Sequence, residues 1–473
     1  MKNLYIKIVA VLVLVLTVTS CDKELSQIPF DEFGTENAYV TAADFENAAR
    51  GAYLGLMSGS YYGGSFLANP DVLSDNTTLS EFGRQTKTII HEWRYDPNNG
   101  YRGLYQNAYT VIYRANLILE NLDSFEGDSK NNITGEALTL RAMAHFDVAR
   151  VFAKIPTQSG DANGSLGVVY RMDTDPNAQL TRSTVGETYQ FIVDDLEAAR
   201  LLINDDNGDS RMGKEAVSLL LSRAYLYMGR YQDAIDAADR VSTNVANRAD
   251  VPGVWTDESD EGVVFSITNE SGVLGFNIGV QWSQGSPSSL IPEYVASFQL
   301  NSLYDAGNDI RREAYIFDGT TAEGVAVNGI KKYLGRGTSF GGEADIKILR
   351  AAEAELNKAE AYYELGQDGF SRDALDEIRT NRYTTPPTGG SGNTLRDAIR
   401  LERRLEFAFE YQRFFDLKRW GMSIERGNEG DAADGSGNPS NALTLSEGSH
   451  KFQLPIDLSS IIVNPNLQQN SGY

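Results

Sequence analysis

KEAVSLLLSRAYLYMGRYQDAIDAADRV, residues 214–241, is the stretch that decides the fold. It contains two runs of apolar residues at helical spacing, separated by Gly229. Ala224, Ala234 and Ala238 put small side chains where two helices can cross closely. Two helices joined by a glycine turn match the tetratricopeptide pattern. Because such repeats bury a core only by stacking on neighbours, the stretch predicts a helical repeat scaffold.

Further segments with helical periodicity lie on both sides of this pair. Together they predict a mainly α protein with a tetratricopeptide-like scaffold of about four helix pairs. Thr184 and Glu187 have the spacing of a capping box at the start of one helix. The segments are 44–57, 105–122, 135–152, 184–202, 348–365, 372–382 and about 395–419.

Two long stretches of different composition interrupt the helices. Residues 58–103 are rich in Gly, Asn, Asp and aromatic residues, and residues 250–333 mix β-like runs with Gly, Ser and Pro turns. Loops of this length usually carry a binding function. We therefore expect an irregular, loop-rich half with short β-strands, whose excursions at about 58–103 and 250–333 bind the ligand.

The charge balance and the rare residue types exclude several classes of function. The 473 residues include 65 acidic and 42 basic side chains, a formal net charge of −23. Nucleic-acid binding and electrostatic attachment to an anionic lipid surface both need a basic face. The charge also disfavours polyanionic ligands, unless a local basic patch exists. With 3 His and 1 Cys, a disulfide scaffold and a thiol-based metal site are nearly excluded, and we predict no metal and no cofactor.

The N-terminus has the pattern of an export signal. Lys2 and Lys7 precede an unbroken apolar run at 8–16, which is short for a membrane span. Residues 18–21, Val-Thr-Ser-Cys, resemble the bacterial lipobox. This resemblance implies cleavage before Cys21 and lipidation of that residue, and acyl chains then act as the membrane anchor. An ordinary secretory signal with an incidental cysteine is the alternative.

These features divide the chain into three parts. We predict a signal peptide at 1–20, a lipidated tether at 21–33 and a single domain at 34–473.

A charged segment near the C-terminus, ERRLEFAFEYQRFFDLKRWG at 402–421, completes the last predicted helix. Its charges fall at helical spacing, so we expect partners one turn apart. The expected pairs are Glu406 with Arg403, Glu410 with Arg413, and Arg413 with Asp416. This pattern indicates a partly buried structural helix.

The sequence contains none of the common catalytic motifs. GxSxG, a phosphate-binding loop, HExxH and CxxC are all missing from it. Acid pairs such as Asp71 and Asp75 keep a glycosidase-type carboxylate pair open as an alternative, although such charges are usually structural. We predict that the protein is not an enzyme.

The C-terminal segment resembles the signature of the SusD/RagB family. The matching residues are Glu402-Arg403-Arg404, Glu406, Glu410, Arg413, Asp416 to Gly421, and the closing Leu454-Pro455-Ile456, Asn464-Pro465, Gln468-Gln469-Asn470 and Gly472-Tyr473. Weaker likenesses at 101–116, 135–142 and 308–312 occur in the order expected for the family. Ser471 replaces the usual proline.

The resemblance implies a surface-exposed lipoprotein of the Bacteroidetes outer membrane, lipid-anchored at Cys21. Such proteins have a right-handed tetratricopeptide body, bind an oligosaccharide or polysaccharide without chemistry, and deliver it to a SusC-like TonB-dependent transporter. A peptide-binding lid of the same transporter type, a glycan hydrolase and an adaptor that binds only another protein are the alternatives.

Sugar binding suggests candidate ligand contacts within the two excursions. Flat aromatic side chains cover the apolar face of a pyranose ring, and planar polar groups bind its hydroxyls. The candidates, chosen on composition, are Trp93, Trp282, Tyr95, Tyr101, Tyr294, Asp75, Asn76 and Arg84.

Overall fold

The computed structural model describes residues 38–208, 210–270 and 276–473. The predicted signal peptide, Cys21 and the tether lie outside these residues. The described part forms sixteen α-helices and five two-stranded sheets, which confirms the predicted mainly α fold. None of the helices in these ranges is long and apolar enough to cross a membrane.

The helices and strands have the following bounds. The helices are α1 Ala42–Leu56, α2 Ser65–Leu73, α3 Thr88–His91, α4 Arg102–Glu120, α5 Lys130–Phe152, α6 Val185–Leu202, α7 Lys214–Met228, α8 Tyr231–Ala238, α9 Val251–Val254, α10 Phe298–Leu303, α11 Ile310–Tyr315, α12 Ala351–Glu364, α13 Asp368–Thr380, α14 Asn393–Glu406, α15 Arg413–Arg419 and α16 Leu458–Val463. The strands are β1 Thr77–Leu79, β2 Val263–Ile267, β3 Ser283–Ser286, β4 Ser289–Pro292, β5 Tyr294–Ala296, β6 Ile316–Thr320, β7 Ala326–Ile330, β8 Ile346–Arg350, β9 Ile424–Glu425 and β10 Thr444–Leu445. The pairs β1–β5, β2–β8, β3–β4, β6–β7 and β9–β10 are all antiparallel.

Long helices packed in succession form the scaffold. Helix α1 packs on α4, and contacts then continue through α5, α6, α7, α8, α12 and α13. The predicted pair at 214–241 forms α7 and α8, with Gly229 between them at a left-handed φ of 72°. Ala224, Ala234 and Ala238 are buried as expected. The capping box of Thr184 and Glu187 is also present, so both sequence patterns are confirmed.

The single helix predicted at about 395–419 is wrong, because the chain turns between α14 and α15. Phe409 and Tyr411 have positive φ values of 67° and 56°, which a helix does not contain. The buried carboxylate of Asp71 accepts hydrogen bonds from the backbone N–H groups of Phe409 at 2.9 Å and Tyr411 at 3.1 Å. A side chain from the first excursion therefore stabilises this turn.

The expected pairing of charges within that segment is also wrong, because the partners come from distant elements. Glu406 accepts hydrogen bonds from Arg382 at 2.8 Å and from Arg350 at 2.9 Å. The guanidinium of Arg413 forms a bidentate ion pair with the carboxylate of Asp75, and both N···O distances are 2.8 Å. Burial in the core, rather than helical spacing, selects these partners.

These contacts belong to a buried ionic network that we call the C-terminal charge cluster. Its acidic members come from α14 and the following turn. Its basic members come from α11, the segment after β7, the end of β8, helix α13 and the segment after α13. All of them are at least nine-tenths buried. The members are Glu402, Glu406, Glu410, Arg311, Lys332, Arg350, Arg379 and Arg382.

Glu406→Gln should destabilise the protein strongly. The substitution removes the negative charge that faces Arg311, Arg350 and Arg382, and an uncompensated buried charge costs about 3–5 kcal/mol. Urea unfolding followed by circular dichroism measures the change in the free energy of unfolding.

Glu46→Gln is the matched control for this measurement. Glu46 also pairs with an arginine, Arg211, but its side chain is 30% exposed, so we expect a loss of about 1 kcal/mol or less. Equal losses for the two variants would contradict a central role for the C-terminal charge cluster.

Candidate ligand-binding face

The two excursions meet in space at a small antiparallel sheet. Strand β1 of the first excursion pairs with β5 of the second, with Thr78 opposite Val295. The Ser297 hydroxyl donates to the backbone carbonyl of Asp75 at 2.9 Å. The structure thus joins the two regions that contain the predicted ligand contacts.

Glu293 holds the loop that follows β1. Its side chain is buried, and Oε2 accepts a hydrogen bond from the backbone N–H of Arg84 at 3.1 Å. The other oxygen, Oε1, accepts from the hydroxyl of Thr86 at 2.7 Å and also from the Thr86 backbone N–H. One carboxylate therefore holds two main-chain N–H groups of this loop, on residues that are two positions apart.

Close backbone packing completes this attachment. A Cβ atom at Gly83 would lie 2.1 Å from the carbonyl oxygen of Pro292, so only glycine permits the loop to approach the β3–β4 hairpin. The Lys87 ammonium donates to the side-chain carbonyl of Gln281. Burial, with Arg84 adding to it and Glu293 opposing it, lowers the pKa of Lys87 to about 7.

We call residues 80–89 together with 281–293 the loop–hairpin face. Its accessible side chains combine apolar and polar groups. Ile89 and Ile291 are exposed, Phe82 is half-buried, and Gln85 is exposed. The side chain of Arg84 is 50% exposed. This mixture suits a ligand that has both C–H surfaces and hydroxyl groups.

The two tryptophans predicted to contact ligand are placed in the interior. The indole N–H of Trp93 donates to the carbonyl of Leu73 at 2.9 Å, and the guanidinium of Arg426 lies 4.1 Å from the centre of its ring. Trp282 is 1% exposed and packs edge-on against Phe409. Neither ring is free to stack on a sugar, which corrects the expectation of an exposed tryptophan platform.

The three predicted tyrosines are also buried. The hydroxyl of Tyr95 donates to the carbonyl of Lys451, and Tyr101 lies just before α4. The ring of Tyr294 packs near His91. Burial raises the pKa of all three tyrosines, so their hydroxyls stay neutral. These buried rings stabilise the excursions, because removing a large aromatic surface from water contributes strongly to the free energy of folding.

The predicted polar contacts fall into two groups. Asp75 is buried, and although burial opposes ionisation, Arg404 and Arg413 lower its pKa well below the usual value. The side-chain oxygen of Asn76 accepts from Nε of Arg404 at 3.0 Å. Both residues therefore serve structure, and only Arg84 of the eight candidates presents its side chain to solvent.

The acid pair considered for catalysis is engaged in packing. Burial raises the pKa of Asp71 to about 6, opposed by hydrogen bonds from Asn76 and two backbone N–H groups. Both Asp71 oxygens and both Asp75 oxygens have partners within the protein. No solvent-facing carboxylate pair arises from Asp71 and Asp75. Among the described residues, no group of three or more His, Cys, Asp or Glu side chains is arranged to hold a metal ion.

Sequence reasoning missed Glu293 and Gly83, the residues that shape the face. Glu293 accepts hydrogen bonds from main-chain groups about two hundred positions earlier in the sequence. Gly83 matters because its lack of a side chain lets the backbone approach Pro292. Neither property leaves a pattern in one sequence. The only available signal was the prediction that these two excursions share a function.

Comparison with known proteins identifies the class. A family model described as starch-binding and associating with the outer membrane matches residues 40–226, and the SusD family model matches residues 314–473. Two SusD-like proteins of Formosa agariphila are 22% and 24% identical, over 98% and 96% of both chains.

Solved structures agree with this assignment. A SusD superfamily protein of Bacteroides thetaiotaomicron has a TM-score of 0.80 and 25% identity, covering 91% of this chain and 100% of that one. A protein described as a sugar-binding protein of Bacteroides vulgatus also has a TM-score of 0.80, with 24% identity and coverage of 92% and 99%. The chain belongs to the SusD/RagB family, and its tetratricopeptide-like fold is confirmed.

Glu293→Gln should loosen the loop of the loop–hairpin face. The neutral amide weakens charge-assisted hydrogen bonds to the backbone N–H groups of Arg84 and Thr86. We expect hydrogen exchange at those two amides to become about tenfold faster, measured by exchange with mass-spectrometric or NMR detection.

Glu92→Gln is the control, because the Glu92 carboxylate contacts the side chains of Arg94 and Asn441 rather than loop amides. Unchanged exchange at Arg84 and Thr86 in Glu293→Gln would show that Glu293 does not hold the loop.

Proposed function

We propose that this protein is a surface-exposed outer-membrane lipoprotein that binds an oligosaccharide or polysaccharide at the loop–hairpin face. It delivers the glycan to a partner SusC-like TonB-dependent transporter and performs no chemistry on it. The observation that carries the proposal is the pre-ordered loop held by Glu293, which presents accessible apolar and polar side chains together. Family membership supports the same role, since a similar fold occurs in a surface glycan-binding protein A of Bacteroides uniformis, with a TM-score of 0.72.

The chemistry of the face favours a neutral or weakly charged saccharide. Phe82 and Ile291 offer apolar surface to the C–H side of a sugar ring, whereas Arg84 and Gln85 offer hydrogen bonds to hydroxyls. Because Glu293 already fixes the backbone, little conformational entropy is lost on binding.

Export, lipidation and tethering of the protein are proposed from the N-terminal sequence. A signal peptide at 1–20 directs export, Cys21 carries the lipid, and residues 21–33 tether the single domain at 34–473. Tethering keeps the domain next to a transporter in the same membrane, which raises the effective concentration of each for the other.

Phe82→Ala and Arg84→Ala should each weaken glycan binding. A glycan array identifies the ligand, and isothermal titration calorimetry then measures the dissociation constant, which we expect to rise about threefold to tenfold in each variant. The variants should keep a melting temperature close to that of the wild type, since Phe82 is only half-buried and Arg84, which contacts Glu293 at 3.4 Å, is 50% exposed.

Phe370→Ala provides the control for these variants. Phe370 is 60% exposed but lies on α13 of the scaffold, so its removal should leave affinity unchanged. No signal on a broad glycan array, or saturable binding only to peptides, would contradict the proposed ligand class. Product formation from a bound glycan would contradict a purely binding role.

Cys21→Ser should release the protein from the outer membrane. Without the thiol, no acyl chain is attached, and the hydrophobic anchor of about 0.8 kcal/mol per buried methylene is lost. Membrane fractionation, labelling with an alkyne fatty acid and protease treatment of intact cells measure the change.

Wild-type protein serves as the reference and should be labelled, sedimented with membranes, cleaved on intact cells and co-purified with a transporter barrel. A Cys21→Ser variant that remains with the membrane would contradict lipid anchoring at this residue.

A further inference from the structure

A second groove lies on the helical scaffold, along α4. It has a volume of about 540 Å³, within the range of small-ligand sites. We call it the tyrosine groove, because Tyr105, Tyr109 and Tyr113 line one side of it at four-residue spacing, which places them on one face of α4. The segment 169–176 and helix α16 form the other sides. It shares no residue with the loop–hairpin face.

Hydrogen bonds to main chain fix the walls of the groove. The hydroxyl of Tyr109 donates to the carbonyl of Val169 at 2.8 Å. The side-chain amide of Asn116 donates to the carbonyls of Arg171 at 3.1 Å and Asp173 at 3.2 Å. Near α16, the amide of Asn464 donates to the carbonyl of Leu180 at 2.8 Å. The groove is therefore formed before any ligand enters.

The charged residues that line this groove are both basic, in contrast to the acidic chain as a whole. It includes Arg102 and Arg171 but neither Asp nor Glu, in a protein that has 65 acidic and 42 basic residues. The carboxylates that pair with these arginines, on Asp457 and Asp173, lie outside the lining. The two guanidinium groups are therefore the charges that face the groove, in a protein whose net charge repels acidic ligands elsewhere.

Arg102 has hydrogen-bonding capacity to spare. Its side chain is 58% exposed, and the nearest carboxylate, on Asp457, is 3.7 Å away. Its other polar neighbour is the neutral amide of Gln106. Arg171 is more constrained, because it pairs with Asp173 at 3.0 Å and donates to main-chain carbonyls. A guanidinium group binds a carboxylate with two parallel hydrogen bonds, so Arg102 is the charge that a ligand meets first.

Apolar surface lies beside this charge. Tyr113 is 45% exposed, and Val463 on α16 is 78% exposed. We propose that the tyrosine groove is a second saccharide site, which accepts a sugar unit bearing a carboxylate. The C–H face of the ring lies on Tyr113 and Tyr109, and the carboxylate pairs with Arg102. This proposal goes beyond the glycan site at the loop–hairpin face and does not depend on it.

Calorimetric titration of the mature protein with defined oligosaccharides tests this site. The probes are trimers of galacturonic acid and of glucuronic acid, with galactose and glucose trimers of the same linkages as neutral counterparts. We expect at least one acidic trimer to bind about tenfold more tightly than its neutral counterpart, and we expect the difference to shrink as salt is added.

Two exposed substitutions locate the binding. Arg102→Gln should weaken binding of the acidic trimer about fivefold and leave the neutral trimer unchanged. Tyr113→Ala should weaken both. Arg240→Gln and Phe370→Ala, on the scaffold outside the groove, should change neither, and Arg84→Ala on the loop–hairpin face should leave the acidic preference intact.

Several results would overturn the proposal. These are equal affinity for acidic and neutral trimers, no binding of either uronic acid, or an acidic preference that disappears in Arg84→Ala but survives in Arg102→Gln. Self-association that Tyr113→Ala abolishes, seen by sedimentation velocity without any saccharide effect, would instead make the groove a protein contact. If the loop–hairpin face bound no glycan but the protein still preferred the acidic trimer, the function proposed for that face would be rejected and the second site would stand.

Discussion

Three buried carboxylates, on Glu402, Glu406 and Glu410, hold the two halves of this protein together. Their arginine and lysine partners come from the loop-rich half as well as from the helical scaffold, so each ion pair is also a contact between elements. A buried charge without its partner is far more costly than an exposed one, and this cost penalises every arrangement in which the halves separate. Asp75 extends the principle to the first excursion through Arg404 and Arg413.

Much of the helical scaffold could be predicted from the sequence because its information is local. Small residues at helix crossings, the turn at Gly229 and the capping box of Thr184 and Glu187 all act within one or two helical turns. The break between α14 and α15 could not be predicted in this way, because the carboxylate that stabilises it belongs to Asp71, more than three hundred positions away. Charges at helical spacing favour a continuous helix only when no distant partner competes for them.

The candidate site could be predicted only as a pair of regions. Composition located the two excursions but not the orientation of their side chains, and all five of the selected aromatic rings are buried. A tryptophan or tyrosine with a polar atom at its edge is well suited to join a loop to the core, since the ring is buried while that atom bonds to main chain, as Trp93 does with Leu73. What remains accessible is a smaller set near Arg84. The tyrosine groove on α4 could not be predicted either, because Arg102 and Arg171 are far apart in sequence.

The hydrogen bonds from main-chain N–H groups to Glu293 affect how the ligand specificity of such a protein can change during evolution. Most of these hydrogen bonds come from backbone N–H groups, which every residue except proline has. A neighbouring loop position such as Phe82 can therefore change its side chain while the loop keeps its shape. New recognition properties then arise without penalising folding, provided that Gly83, the Glu293 carboxylate and the Thr86 hydroxyl are retained. For the same reason, exposed side chains of this loop are suitable positions for substitutions that change ligand specificity in an engineered relative.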